Sequence, residues 1–221
     1  MLASNAVRLA ISKGLHRQPA STWNRPQHET RKRSKLFWIL YTLDRQIASR
    51  SGRPPAIDDD DISCDAPETL LPADSSSDTF CTICIKLSQI QSRAYKRLSS
   101  ARALRQSAEE LIRAVAELHE EVILFKRTIN HIIDLDEQLD EMPMPRMMTM
   151  FQLIMVYFLY YSVLFDIHTP LMLPWFHLTG SKRFDTFHPQ VQNSCAIIAR
   201  TARVAILGCR LVQLDANTPV L

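Results

Sequence analysis

From Leu111 to Ile132 the apolar residues Leu111, Val115, Leu118, Val122, Phe125, Ile129 and Ile132 return at alternating steps of four and three. A strand, with its period of two, would scatter such a set over both faces, whereas a helix lines it up as one narrow seam suited to packing along a second helix. Just upstream, Ser107 and Glu110 form a Ser-x-x-Glu pair, in which each side chain satisfies a backbone donor of the other, so a helix is expected to start there. Only four glycines occur in 221 residues, Gly14, Gly52, Gly180 and Gly208, leaving few positive-φ positions for tight strand connections or phosphate-cradling loops. The expected fold class is all-α, a multi-helix bundle with 1–221 as a single helical domain.

The same periodicity marks the remaining helices. Ala3, Val7, Ala10 and Ile11 share a face that stops at Gly14, placed as a left-handed C-terminal cap. After Pro19 and Pro26, residues 28 to 50 carry Leu36, Leu40, Leu43 and Ile47 at steps of four, three and four, read as the inward stripe of an amphipathic helix that Gly52, Pro54 and Pro55 terminate. Residues 52–78 hold four prolines, the Asp58–Asp61 run and Ser75–Ser77, and are expected to form a long, flexible, partly disordered loop. Phe80, Ile83, Leu87, Ile90, Ala94 and Leu98 form another stripe, and Pro143 and Pro145 close the seam helix. An uncharged helix follows from about Met147 to Phe165. A connector with Pro170, Pro174, Trp175, Phe176 and Pro189 then leads to a last helix near 190–212, with Val191, Cys195, Ile198, Ala202, Ala205 and Cys209 facing inward.

Lys and Arg number 26 against 23 Asp and Glu, a net charge of +3, far below what a dedicated nucleic-acid-binding domain carries. The five cysteines, Cys64, Cys81, Cys84, Cys195 and Cys209, are odd in number and scattered. With Arg8 and Lys13 where a signal peptide needs its apolar stretch, free thiols in a reducing compartment are expected.

Three linked blocks lie within 48 residues: Gly14-Leu15-His16-Arg17; Lys35-Leu36-Phe37-Trp38-Ile39-Leu40-Tyr41-Thr42-Leu43-Asp44-Arg45; and Gly52-Arg53-Pro54-Pro55-Ala56-Ile57-Asp58-Asp59-Asp60-Asp61. In order, spacing and chemistry they resemble the fungal-specific transcription factor domain, the middle homology or regulatory region of fungal binuclear zinc-cluster transcription factors. Weaker echoes run through Leu87–Gln91 with Tyr95, Tyr160-Tyr161 to Pro170, and Cys195 to Arg200. The resemblance implies an all-helical regulatory region acting on transcription from RNA polymerase II promoters in the nucleus, through conformation, dimer contacts or a small-molecule effector. It implies no enzyme and no catalytic residue. DNA and zinc binding belong to a module with two cysteine triplets that does not precede Gly14, so no cofactor or metal ligand is expected in this chain, which is read as N-terminally truncated relative to the family.

Within those blocks the roles are expected to be architectural. Phe37, Trp38 and Tyr41 offer about 150–250 Å² of apolar area each when buried, Asp44 and Arg45 can tie neighbouring backbone or charge, and Gly52-Arg53-Pro54-Pro55 fixes the exit direction of the chain. One of Asp58, Asp59, Asp60 and Asp61 as a helix N-cap, with the rest solvated, suits the run better than a calcium loop, whose ligands are spaced around a central glycine.

Other signals have plainer readings. Cys81-x-x-Cys84 lacks the second pair a tetrahedral metal site needs, and on a helix the two thiols are simply neighbours. Arg31, Lys32, Arg33 and Lys35 form a candidate nuclear-import patch, set against a solvated helix face at a terminus that disfavours cations. Residues 147–165 approach the length of a membrane span, but Gln152, Thr149, Ser162 and three tyrosines favour a buried central helix. Asp166 and His168 lack the third group an acid–base pair needs. Expected partners are a homodimer mate or a full-length regulator, a small-molecule effector, and no membrane. Two alternatives stay open: a truncated partner that modulates full-length regulators through the 111–132 seam, and a small helical membrane-associated protein.

Overall fold

The computed structural model describes residues 2–20, 26–66, 76–135, 148–172 and 184–209, with six α-helices and no strand among them. Helix α1 (Leu2–Ser12) closes on Gly14 at φ 65°, where the Gly14 N–H donates to the Ile11 carbonyl at 2.9 Å and the Leu15 N–H to the Ala10 carbonyl at 2.9 Å. Helix α2 (Gln27–Ser51) ends the same way at Gly52, φ 63°, with the Arg53 N–H reaching the Ala48 carbonyl at 3.0 Å. Both are left-handed closures that satisfy carbonyls the helix would otherwise leave open.

Helix α3 (Ser76–Ala94) runs on into a π turn at Tyr95–Ser99. Helix α4 (Ala108–Ile129) starts at the expected capping box, the Ser107 hydroxyl accepting from the Glu110 N–H at 3.2 Å and the Glu110 carboxylate from the Ser107 N–H at 2.8 Å. A second box, Thr149 with Gln152, starts helix α5 (Met150–His168). Helix α6 is Phe184–Gly208.

The core has two parts. The larger is built from α3, α4 and α5, and in it Leu111, Val115, Leu118, Val122 and Ile129 of the seam are each 0% exposed. Burying each of these is worth roughly 1.5–3 kcal/mol, so these five positions are spent within this chain, with Phe125 and Ile132 half-buried against them. Helix α5 is long and apolar enough to cross a membrane by length and composition, but it packs against α3, α4 and α6, and the buried Tyr161 hydroxyl donates to the Leu135 carbonyl at 3.0 Å. The smaller part gathers Val7 and Ala10 of α1, Phe37, Trp38 and Tyr41 of α2, Ile57 and Cys64 of the following segment, and Ile85 of α3.

Several expectations are corrected. In α2 the inward face is Phe37, Trp38, Tyr41, Thr42, Asp44, Arg45 and Ala48, while Leu36 and Ile47 point outward. The helix carries two apolar faces, and the aromatic one, with more area to bury, takes the core. Residues 56–66 are tied down rather than loose: the Ser63 and Cys64 N–H groups both donate to the His16 carbonyl, at 2.9 and 3.0 Å, and Ile57 and Cys64 are buried. Helix α3 begins at Ser76, inside the expected 52–78 loop, and residues 67–75 of that loop lie outside the described residues. So do Pro143, Pro145, Pro174, Trp175 and Phe176. Pro189 lies inside α6 rather than in a connector. In that helix Ser194, Ile198 and Thr201 are buried while Ala202 and Cys209 are exposed, because hydroxyls that find partners serve the inner face as well as methyls do.

Candidate functional site

The motif blocks converge where α2 meets the segment after Gly52. Asp44 and Arg45, both buried, lie side by side, with the Arg45 Nη1 donating to Asp44 Oδ2 at 2.8 Å. The other arm of the guanidinium, Nη2, donates to the Ile57 carbonyl at 2.7 Å and to Asp59 Oδ1 at 2.8 Å. The Tyr41 hydroxyl donates to that same Asp59 oxygen at 2.9 Å, and the Arg45 carbon Cζ sits 4.2 Å from the Tyr41 ring centroid, a cation–π contact. Asp44 Oδ2 also accepts from the Ala56 N–H at 2.9 Å. One cation and two carboxylates thus fix both the side chains and the main chain of the segment, leaving Arg45 Nε as the guanidinium nitrogen without a partner. Burial pushes the Tyr41 phenol up to about 12, so it stays a donor.

Asp58 caps the short turn Asp59–Asp61, its carboxylate accepting from the Asp60 N–H at 2.9 Å, and pairs with Lys96 of the π turn, which holds its carboxyl below the usual range. The Gly14–Arg17 block joins from the other side. Trp38 Nε1–H and the Ser34 hydroxyl both donate to the Asp65 carbonyl, and Gln18 Nε2 donates to Asp65 Oδ2 at 2.8 Å. His16 is buried against Phe37. Of the remaining motif residues, Leu15 and Pro55 are half-buried, Arg17, Arg53, Pro54 and Asp60 are exposed, and Leu36 faces solvent rather than the core.

The candidate import patch lies on the first turns of α2. Arg31 and Lys32 are exposed, Lys35 is half-buried, and Arg33 Nη2 donates to the Lys13 carbonyl at 3.1 Å, placing a cation just beyond the C-terminal end of α1. That contact gives a structural reason for one cation at a helix start.

Two further polar groups, weighed from the sequence only as an acid–base pair, have partners that the sequence did not reveal. Asp166 of α5 accepts from the Ser49 hydroxyl of α2, at 2.7 and 2.9 Å to its two oxygens, and from Gln91 Nε2 of α3 at 2.8 Å, so one carboxyl bridges three helices. Burial raises its pKa. His168 is fully buried, with Nδ1 2.9 Å from the Ser194 hydroxyl of α6 and Nε2 3.0 Å from Nδ1 of His119 on α4. Burial pulls His168 down to about 4 and lowers His119 as well. The usable signal was polar residues on apolar faces: Ser88 and Gln91 sit on the buried side of α3, and Asp166 is the first charge after the uncharged run.

Among the described residues no three His, Cys, Asp or Glu side chains converge as a metal ion requires. Cys84 is buried and its thiol is pushed up to about 12, a setting that leaves it inert. The arrangement is one of pins between helices: even the Ser194 hydroxyl and the His168 imidazole, 2.9 Å apart, are both fully buried.

A family model described as the fungal specific transcription factor domain matches residues 1–141. The ABC-transporter-regulating transcription factor of Aspergillus oryzae is 33% identical over 177 residues, covering 76% of this chain and 19% of that protein. An uncharacterized transcriptional regulatory protein of Schizosaccharomyces pombe is 26% identical over 172 residues, covering 73% of this chain and 22% of its own length. The negative regulator of pleiotropic drug resistance of Candida glabrata is 31% identical over 100 residues, 44% of this chain and 10% of that protein. The chain spans about a fifth of the length of the first two. No solved structure matches it.

Proposed function

The chain belongs to the fungal specific transcription factor domain family, whose relatives found here are transcription regulators rather than enzymes, and on that premise we propose that it is a regulatory unit acting in the nucleus by shifting between two arrangements of its helices. The observation that carries this reading is the Asp166 bridge. It joins α2, which carries the motif blocks, to the α3–α5 bundle through one part-buried carboxyl. Such a contact holds or releases as a unit, and a partner or ligand that favours one arrangement shifts the population in proportion to its differential affinity. The ligand classes that fit a regulator of this kind are a homodimer mate, a full-length regulator or a small-molecule effector. Contact with DNA is left to a zinc-cluster module, since a pair of cysteine triplets needs six cysteines and this sequence has five. No cofactor is assigned to the chain.

The test is a reporter assay in which the full chain is fused between a heterologous DNA-binding module and an activation segment. Asp166→Ala is expected to change reporter output several-fold at equal protein level and equal nuclear accumulation. Identical output from the wild type and the variant overturns the proposal. A modulating partner that docks on the 111–132 seam is disfavoured, because the bundle already covers that seam.

A further inference from the structure

The outward face of α2 is built like half of a helix pair. Leu36 is 49% exposed, Ile39 41% and Ile47 41%, and Leu43, half-buried, lies on the line between them. At 100° per residue, Leu36, Leu43 and Ile47 fall within one narrow stripe, with Ile39 at its edge, over about 16 Å of helix. The steps of seven and four are those of a coiled-coil seam. Exposed Lys32 and Arg50 stand on the same line at its two ends.

Charge decides what can lie there. Residues 1–55 contain eleven Lys or Arg against two acids, Glu29 and Asp44, and Asp44 is consumed inside the fold by Arg45. With a whole-chain charge of +3, the remainder of the sequence is acidic, so the positive charge is concentrated in the segment that includes this helix, and the acids nearest to it, Asp58 and Asp59, are paired with Lys96 and Arg45. A second copy laid on this face would set Lys32 and Arg50 against cations in either orientation, with Glu29, seven residues before Leu36, as the single exposed acid of α2 on that line. Nucleic acid would meet three large aliphatic side chains where it needs hydrogen-bond donors.

We propose that this face of α2 docks an acidic amphipathic helix of about three to four turns, its Leu or Ile residues seated along Leu36, Ile39, Leu43 and Ile47 and its Asp or Glu residues meeting Lys32 and Arg50. This is the helix-on-apolar-face mode of peptide recognition, with the end charges setting orientation and encounter rate more than depth of binding. It stands on exposure and charge in α2 and does not depend on the two-arrangement reading above.

The probe is a fluorescein-labelled synthetic peptide with leucines at steps of four and three and glutamates flanking them, titrated with the full chain and read by anisotropy. Saturable binding is expected, weakened at least tenfold by Leu36→Asp or Ile47→Asp, and weakened by Lys32→Glu with Arg50→Glu. The charge-reversed protein should in turn prefer the same peptide with lysines for glutamates. Helix content by circular dichroism establishes that each variant is folded, and the charge-reversal pair keeps the test decisive where an aspartate variant is not. Equal binding of the glutamate and lysine peptides overturns the proposal. So do unchanged affinity in the Ile47→Asp and charge-reversal variants, capture of a duplex oligonucleotide in place of the peptide, or self-association through this face that Leu36→Asp abolishes.

Discussion

Between α4 and α5 an aliphatic and aromatic core surrounds one polar contact, His119 with His168, whereas where α2 meets residues 56–66 a guanidinium, two carboxylates, a phenol and an indole N–H are packed together. The first region draws its stability from area, which is forgiving of which side chain supplies it. The second draws position from partners that cannot be exchanged, because each buried charge is tolerable only while its counter-charge stays in place. A chain that combines them has a bundle that sets how stable it is and a clasp that sets how one segment is held on that bundle.

Breaking the clasp at its centre has the largest expected effect. Arg45→Met leaves Asp44 and Asp59 without their cation and should destabilise by about 3–5 kcal/mol. Hydrogen exchange should show residues 56–66 losing protection while α3, α4 and α5 keep theirs. Equal loss in both regions would mean that the two are not separable. In the bundle, Leu118→Ala should cost about 2–5 kcal/mol, read as a lower urea midpoint with residues 56–66 and the bundle melting together.

The third prediction concerns pH. His168, held neutral at a pKa of about 4 against 6.5 unfolded, binds fewer protons folded than unfolded between those values. Its contribution is therefore whole above about pH 6.5 and is lost as pH falls toward about 4, on the order of 3 kcal/mol at most. His119, whose pKa is also lowered, adds in the same direction. Asp166, raised by burial, acts the other way, favouring the fold as pH falls through its own range. Urea unfolding of the wild type and of His168→Gln should diverge near neutral pH and converge as the medium is acidified. Parallel curves would show that the buried histidine does not carry the dependence. The smallest effect is expected at Leu36→Gln, within about 0.5 kcal/mol, as for an exposed position. A loss several times larger would put Leu36 back in the core and reverse the assignment of the two faces of α2.

That last contrast shows what the sequence could reveal. The seam of α4 was legible because one period and one face coincide there, and the capping box at Ser107 is a local signal with a local cause. The motif blocks were legible as a unit, although not that Arg45 would reach Ile57 and Asp59 at once. In α2 periodicity alone chose Leu36, Leu40, Leu43 and Ile47, since an apolar stripe says that a face can be buried and not which of two faces will be. The Asp166 bridge and the His168 contacts join residues separated by as many as 117 positions, and no local pattern carries that information. Asp166 and His168 do not act as a pair: each finds its own partners on other helices, Ser49 and Gln91 for the first, Ser194 and His119 for the second.

The row from Ser194 through His168 to His119 has a further property. Each contact in it can hold only one hydrogen, and a neutral imidazole carries only one on its two nitrogens. If Ser194 donates, His168 must donate onward from Nε2 and His119 must carry its proton on the far nitrogen. If His119 donates, every hydrogen in the row lies the other way. Choosing the tautomer at the α4 end therefore dictates the direction of the hydroxyl on α6, so three helices share a single binary state, recorded in protons, without any heavy atom having to move.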